Sequence, residues 1–164
     1  MMSESGSKTS RRWEPERYRH EAQSPAATLP EGDRVFFLLD TVPQLDLRRF
    51  YAPYETETRG APPCDPAMMV CLLLSAYGVG VFSSRQMALA CERHRAFMAM
   101  VGQERPDFRT ISDFRTQHLE AFKEVCVQVV RLAGEAGLVQ LGNVSTDGTK
   151  LQGNASRHKA MSYG

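Results

Sequence analysis

Hydrophobic residues follow one another almost without a break between Asp65 and Gly80. The run predicts a helix surrounded by protein, because a helix on a surface keeps one polar face. Asp65 can accept a hydrogen bond from the first free backbone N–H groups, and Pro66 lies where a missing N–H does no harm. Gly78 and Gly80 end the helix. At about 16 residues the run is shorter than the roughly 20 that cross a bilayer, so it indicates the central helix of a small soluble core.

Two shorter helices are predicted ahead of this central helix. Apolar residues recur at helical spacing over 33–42, where Asp33 is a suitable cap and Pro43 ends the helix. A second short helix follows, with Asp46 as its cap, and a loop rich in Pro and Gly leads from it into the central helix. The side chains of this second helix that are expected to face the core are Leu47, Phe50 and Tyr51.

A further amphipathic helix is predicted over 83–99. Ser83 and Gln86 have the spacing of a capping box, in which each side chain bonds to a free backbone N–H of the first turn. Gly102 and Pro106 mark the turn that follows this helix. The residues that recur at helical spacing, and are therefore expected to face the core, are Met87, Ala90, Cys91, His94, Phe97 and Met98.

The helical pattern then continues to Gly137. A helix is predicted over 109–118, with Thr110 as its cap in the same way as Ser83 caps the helix before it. The stretch 119–136 is predicted to continue as a helix. Gly137 ends this stretch. The residues expected to face the core in the two stretches are Ile111, Phe114, His118, Phe122, Val125, Cys126, Val129, Leu132, Ala133 and Ala136.

The helices predicted over 83–99 and 109–118, joined by a turn, have the plan of a helix-turn-helix DNA reader. Between positions 85 and 115 there are six arginines and four acids, a surplus of only two positive charges. On pattern alone, an ordinary helical bundle with a surface of ion pairs is the favoured interpretation. The residues that would contact phosphates or a guanine edge in a DNA reader are Arg85, Arg105, Arg109 and Arg115.

Helical periodicity is absent after Gly137. The stretch 138–153 has two short runs of residues typical of β-strands, on either side of Asp147-Gly148. Asp-Gly between two such runs predicts a β-hairpin. A carboxylate at the end of a strand can begin a Mg²⁺ site, but pattern alone favours an Asp that only makes the turn. The basic residues beyond it either track a nucleic-acid backbone or keep a tail soluble, and they are Lys150, Arg157, His158 and Lys159.

Residues 1–30 are polar and rich in Pro and Ser, so we expect a disordered basic arm. Its arginines alternate with Trp13 and Tyr18, a mixture that suits DNA phosphates and bases. Several glutamates dilute this basic character, and a solvated tail is the favoured interpretation. The segment has no apolar run of the kind found in signal peptides, so nothing in it argues for export.

Composition and cysteine usage narrow the function classes only a little. A net charge of +1 does not by itself predict a nucleic-acid or membrane partner. The four cysteines include no C-x-x-C pair, which favours reduced thiols in a cytoplasm over disulfides or a zinc site. Cys91 and His94 share one helix face, but a metal site would need two more ligands, and core packing is the favoured interpretation.

Four separated stretches, taken in order, resemble the N-terminal, InsH-type domain of bacterial insertion-sequence DDE transposases. They read R-G-A-P-P-C-D-P-A-M-M-V-C-L-L-L-S-A-Y-G-V-G-V-F-S-S-R-Q-M-A-L-A-C, R-P-D-F-R-T-I-S-D-F-R-T-Q-H-L, G-L-V-Q-L-G-N-V-S-T-D-G-T-K and N-A-S-R-H-K-A-M-S-Y. The resemblance extends over about residues 29–164. It implies a mostly α-helical domain over 31–137, built as a small helical bundle, that recognises the inverted terminal repeats of its element.

The same resemblance implies that 138–164 begin an RNase H-like catalytic domain. Asp147 falls on the first acid of the family's Asp-Asp-Glu triad, which holds Mg²⁺ in the intact family. We expect this chain alone to bind no Mg²⁺ tightly. Because the second Asp and the Glu do not occur before Gly164, we expect this chain alone to be catalytically incompetent. A hairpin without the rest of its sheet is also expected to be marginally stable.

The expected function is therefore DNA binding at the element's ends, in the cytoplasm at the nucleoid and with no membrane partner. Two alternatives stay open. One is a helical module that binds intact transposase or a second copy of this chain without touching DNA. The other is one half of a split transposase whose C-terminal part is encoded separately.

Overall fold

Seven α-helices and two 3₁₀ helices make up the part of the chain that the computed structural model describes, residues 11–15, 24–56 and 64–137. No strand occurs within these ranges, and the mostly α fold is confirmed. The hairpin predicted within 138–164 lies outside the described residues. In chain order the elements are η1 (Pro25–Thr28), α1 (Arg34–Thr41), η2 (Val42–Gln44), α2 (Arg48–Glu55), α3 (Pro66–Gly78), α4 (Ser84–Arg93), α5 (Arg95–Val101), α6 (Phe108–Gln117) and α7 (Leu119–Glu135).

The central helix is α3, and protein surrounds it as predicted. Four successive residues, Met68 to Cys71, point to different sides of this helix, and all four are buried. Asp65 caps the helix, since its Oδ1 accepts a hydrogen bond from the Ala67 N–H at 2.8 Å. Helices α1 and α5 pack against α3. Of the described helices, none is long and apolar enough to cross a bilayer.

The prediction of a single helix over 83–99 is wrong. The structure has two helices there, α4 and α5, which meet at His94. The backbone of His94 is extended (φ −103°, ψ 122°), and its side chain is exposed rather than in the core. The run from Glu92 to Arg95 is polar, so a continuous helix would have no apolar side chain to bury at this turn. The capping box is also absent, since the Ser83 side chain makes no cap hydrogen bond. The predicted helix pair is thus a three-helix unit in which α4 packs against both α5 and α6.

The beginning of α6 also differs from the prediction. Its cap is Asp107 instead of Thr110, and the Asp107 carboxylate accepts a hydrogen bond from the Thr110 N–H at 2.7 Å. This bond lowers the pKa of Asp107, because it favours the ionised carboxylate. The predicted inward face of α6 is confirmed, since Ile111, Phe114 and His118 are buried.

Helix α7 buries much of the face that the sequence predicted. Phe122, Val125 and Ala133 are buried, and Cys126, Val129 and Leu132 are partly buried against the core. Ala136 was predicted to face the core but is exposed, because it lies just beyond the last helical residue. Gly137 follows with a positive φ of 72°, a backbone conformation that ends helices and that glycine adopts without strain.

Two segments of the predicted N-terminal arm lie against the helices. The indole N–H of Trp13 donates a hydrogen bond to the Met100 carbonyl at 2.8 Å, and its backbone N–H donates to Asp65 at 3.2 Å. Arg11 forms an ion pair with Glu104 at 2.9 Å. Farther along, η1 packs against α5. These two segments are therefore held in place by specific contacts, unlike the solvated arm that the composition of residues 1–30 predicts.

His118 is a buried imidazole at the junction of α6 and α7. Its ring centroid lies 4.5 Å from that of Phe114 and 5.1 Å from that of Phe50, so α2 closes on the junction around this ring. The Tyr54 hydroxyl lies 3.5 Å from its Nε2. Burial lowers the pKa of His118 below its ordinary value, because the charged imidazolium loses hydration in this setting.

This lowered pKa predicts that the protein loses stability in mild acid. The unfolded chain binds the proton first, so the stability that neutral His118 contributes is present above its ordinary pKa of 6.5 and is lost as the pH falls below it. We expect the urea midpoint to fall between about pH 7.5 and about pH 5, and His118→Gln to flatten that decline. His94→Gln, which changes an exposed histidine, is the matched control and should keep the decline. If the urea midpoint of His118→Gln declined as much as that of the unchanged protein, the loss of stability in acid could not be due to His118.

Candidate nucleic-acid interface

Phe108, the first residue of α6, brings two of the predicted arginines together. The guanidinium carbon of Arg85, near the start of α4, lies 5.0 Å from the centroid of the Phe108 ring. That of Arg109 lies 5.7 Å from the same centroid. A guanidinium group is attracted to the face of an aromatic ring by about 0.5–1 kcal/mol at exposed sites. Phe108 therefore holds both positive charges at one place on the surface, where the beginnings of α4 and α6 meet.

Arg115 lies seven residues beyond Phe108 on α6 and contacts the segment that leads into α4. Its Nη1 donates hydrogen bonds to the Phe82 carbonyl at 2.8 Å and to the Ser84 hydroxyl at 3.2 Å. Its guanidinium also lies 5.6 Å from the centroid of the Tyr77 ring. Arg115 thus ties the segment before α4 to α6, and it is half-buried while Arg85 and Arg109 are exposed.

We call Arg85, Phe108, Arg109 and Arg115 the arginine patch. None of its three arginines forms an ion pair with a carboxylate of residues 11–15, 24–56 or 64–137, although the Asp107 carboxylate lies next to Phe108 in the chain. The ion pairs that the structure shows in those ranges use other cations, namely Arg11, Arg12, Arg48, Arg49 and Lys123. Asp107 is close enough to Arg109 to interact with its charge. The patch nevertheless presents arginines that form no ion pair with a described acid, which suits an anionic ligand.

Arg105, the fourth predicted contact, serves a different purpose in the described structure. Its Nη1 donates hydrogen bonds to the carbonyls of Gly102 and Glu104, both at 3.2 Å, within the turn between α5 and α6. The side chain is exposed, so it can still approach a ligand. Of the four arginines, the structure thus brings Arg85 and Arg109 together on Phe108, places Arg115 beside the segment that leads into α4, and leaves Arg105 on the turn.

The aromatic residues at this surface, Phe82 and Phe108, are not among the residues predicted from the sequence. Phe108 is 37% exposed and Phe82, just before α4, is 63% exposed. Their sequence positions held a signal, because each phenylalanine comes immediately before or at the start of a helix and outside the stripe of residues that recurs at core spacing. Exposed aromatic rings beside arginines are typical of surfaces that bind nucleic acid.

The remaining predicted site residues lie outside the described ranges. They are Asp147, Lys150, Arg157, His158 and Lys159. Their roles stay predictions from sequence, as does the expectation that Mg²⁺ binds at Asp147 in the intact family but not tightly in this chain alone. Within the described ranges, no three His, Cys, Asp or Glu side chains lie close enough together to hold a metal ion. Cys64, Cys71, Cys91 and Cys126 are free thiols, and burial raises the pKa of Cys91 to about 12, which makes this thiol unreactive at neutral pH.

This surface lies in a part of the chain that matches a known protein family. A family model described as "Transposase domain (DUF772)" matches residues 23–117, which is more than half of the chain. No curated protein and no solved structure matches the chain. The matched range includes the whole arginine patch and ends at the last residue of α6.

Proposed function

The chain belongs to the DUF772 family of transposase domains, and on this premise we propose that its helical part binds DNA at the ends of its insertion sequence. The observation that carries the proposal is the arginine patch, in which Arg85 and Arg109 lie on the Phe108 ring and Arg115 holds the segment that leads into α4, none of them in an ion pair with a described acid. A transposase must hold its own element's DNA, and phosphate neutralisation by arginine supplies much of the affinity in such complexes.

The geometry supports contacts from α4 and α6 together. Arg85 and Arg109 each lie at the second position of a helix, so their charges add to the positive ends of two helix dipoles. Such helix ends are favourable places for phosphate groups. In this proposal the exposed Arg85 and Arg109 contact the DNA, whereas the half-buried Arg115 mainly positions the segment from Phe82 to Ser84.

The proposal is tested by measuring DNA binding with the full chain. Two fluorescently labelled duplexes are compared by anisotropy, one carrying the terminal repeat of the parent element and one a scrambled sequence of equal length. We expect binding to both at low salt and at least tenfold tighter binding to the repeat at physiological salt, because phosphate contacts weaken with salt while base contacts keep their discrimination. No binding to either duplex at low salt would refute the proposal.

A second candidate function is supported by the outer side of α7. Val127 is 52% exposed and Val130 is 46% exposed, and residues three apart lie on the same side of a helix. Neighbouring exposed apolar residues are typical of protein contacts. This surface favours a module that binds intact transposase or a second copy of the chain, and analytical ultracentrifugation of the purified protein, alone and with intact transposase, distinguishes the two partners.

A further inference from the structure

Phe82 is the most exposed of the large apolar side chains in the described residues, at 63%. The segment that carries it is held firmly. The Val81 N–H donates a hydrogen bond to the Ala76 carbonyl at 2.8 Å, and Arg115 donates to the Phe82 carbonyl at the same distance. The backbone on both sides of the ring is therefore tied to α3 and α6. The exposure of Phe82 is thus built into the fold and is not the result of a loose loop.

The Phe82 ring is the outer member of an aromatic stack. It lies 5.6 Å from the Tyr77 ring at an interplanar angle of 27°, which is a stacked arrangement. Tyr77 is itself braced by Phe122, whose ring meets it edge-on at 5.6 Å, and by the guanidinium of Arg115. The exposed Phe82 ring, which already packs against the Tyr77 ring, can therefore stack on one more flat group without any rearrangement.

The positive charge near Phe82 indicates which kind of flat group is favoured as its partner. Arg115 lies beside the stack and Arg85 lies in the first turn of the next helix, so an anionic partner is favoured over an apolar protein surface. A nucleobase combines a flat aromatic face with a nearby phosphate. In an intact duplex the base faces are covered by their neighbours, so only an unpaired or unstacked base can present its face to Phe82.

We infer that Phe82 stacks on an unpaired or unstacked DNA base beside the arginine patch, so that the protein prefers DNA whose duplex is locally opened. This inference rests on the proposed DNA-binding function and adds to it a preference for distorted DNA. The arginine patch supplies phosphate contacts on paired and opened DNA alike, whereas Phe82 acts on opened DNA only.

The test compares two labelled duplexes of the same sequence, one fully paired and one with three mismatched base pairs at its centre. Base stacking on an aromatic side chain is worth enough to change affinity by about fivefold or more. We expect the full chain to bind the mismatched duplex at least about fivefold more tightly, and Phe82→Leu to remove this preference while changing affinity for paired DNA less than about twofold. Phe82→Trp should keep the preference, because it keeps an aromatic face.

Two further measurements separate stacking from general apolar contact. Val79→Ala, at an exposed apolar residue of the same segment, is the matched control and should leave the preference unchanged. A 2-aminopurine base at the mismatch should lose fluorescence on binding the unchanged protein and not on binding Phe82→Leu. Equal affinity for both duplexes, or an unchanged preference in Phe82→Leu, would overturn this inference and leave the proposed function standing. Failure to bind either duplex would overturn both.

Discussion

Reversing the charges of Arg85 and Arg109 together, as Arg85→Glu and Arg109→Glu, is expected to weaken binding to duplex DNA about 100-fold. A hydrogen bond between a charged pair contributes about 1.5 kcal/mol, so the loss of two such contacts amounts to about 3 kcal/mol and thus to about two powers of ten in Kd. The slope of log affinity against log salt concentration should also fall by about 2, since about one counterion is released for each neutralised phosphate. Anisotropy titrations at several salt concentrations measure both quantities.

The matched control for this double variant is Arg95→Glu with Arg131→Glu. Both of these arginines are exposed and form no ion pair with a described acid, and they lie on α5 and α7, outside the arginine patch. The net charge changes by the same amount, so the control separates a local contact from a general electrostatic effect. Equal losses of affinity in the two double variants would contradict the proposal that the arginine patch contacts DNA. Circular dichroism should show native helix content in both, because exposed substitutions change stability little.

Replacing Asp65 by alanine is expected to destabilise the fold by about 2–4 kcal/mol. The Asp65 carboxylate caps α3 through the Ala67 N–H at 2.8 Å, and it accepts hydrogen bonds from the Tyr51 hydroxyl at 2.7 Å and the Trp13 backbone N–H at 3.2 Å. Loss of a helix cap costs about 0.5–2 kcal/mol, and a partly buried hydroxyl without its partner costs about 1–3 kcal/mol. Urea denaturation of the full chain, followed by circular dichroism, measures the change.

Two matched variants separate the cap from the rest of this network. Asp33→Ala removes the cap of α1, where the carboxylate accepts only the Val35 N–H among the hydrogen bonds shown, and it should cost about 1 kcal/mol. Asp65→Asn keeps an oxygen acceptor for the cap and for Tyr51, so it should keep most of the stability. A cost for Asp65→Ala no larger than that for Asp33→Ala would show that the bonds to Tyr51 and Trp13 contribute nothing.

Much of the helical core could be predicted from sequence because its signals are local. Asp33, Asp65 and Pro66 mark helix beginnings through interactions with their nearest neighbours, and the apolar run of α3 needs only its own composition to be recognised as buried. The break at His94 could not be predicted in this way. The spacing of Met87, Cys91 and Met98 fits one continuous helix, and the break depends on where α4 and α5 find partners in three dimensions.

The candidate site was predictable in part for the same reason. Arg85, Arg109 and Arg115 could be named because helical spacing places them around one predicted helix pair. The contact between Arg85 and Phe108 joins positions 23 residues apart in the chain, and no local pattern reveals it. The contribution of Trp13 was missed because composition describes residues 1–30 as a whole, whereas two hydrogen bonds hold this one side chain and its backbone.

We propose that DNA lies on the surface formed by α4 and α6. Amide chemical-shift mapping of the ¹⁵N-labelled full chain, with and without terminal-repeat duplex, locates the bound DNA. We expect the largest shift changes at Arg85, Phe108 and Arg109, with small changes along the outer side of α7 at Val127 and Val130. Changes confined to α7, with the α4 and α6 resonances unmoved at saturating DNA, would contradict it.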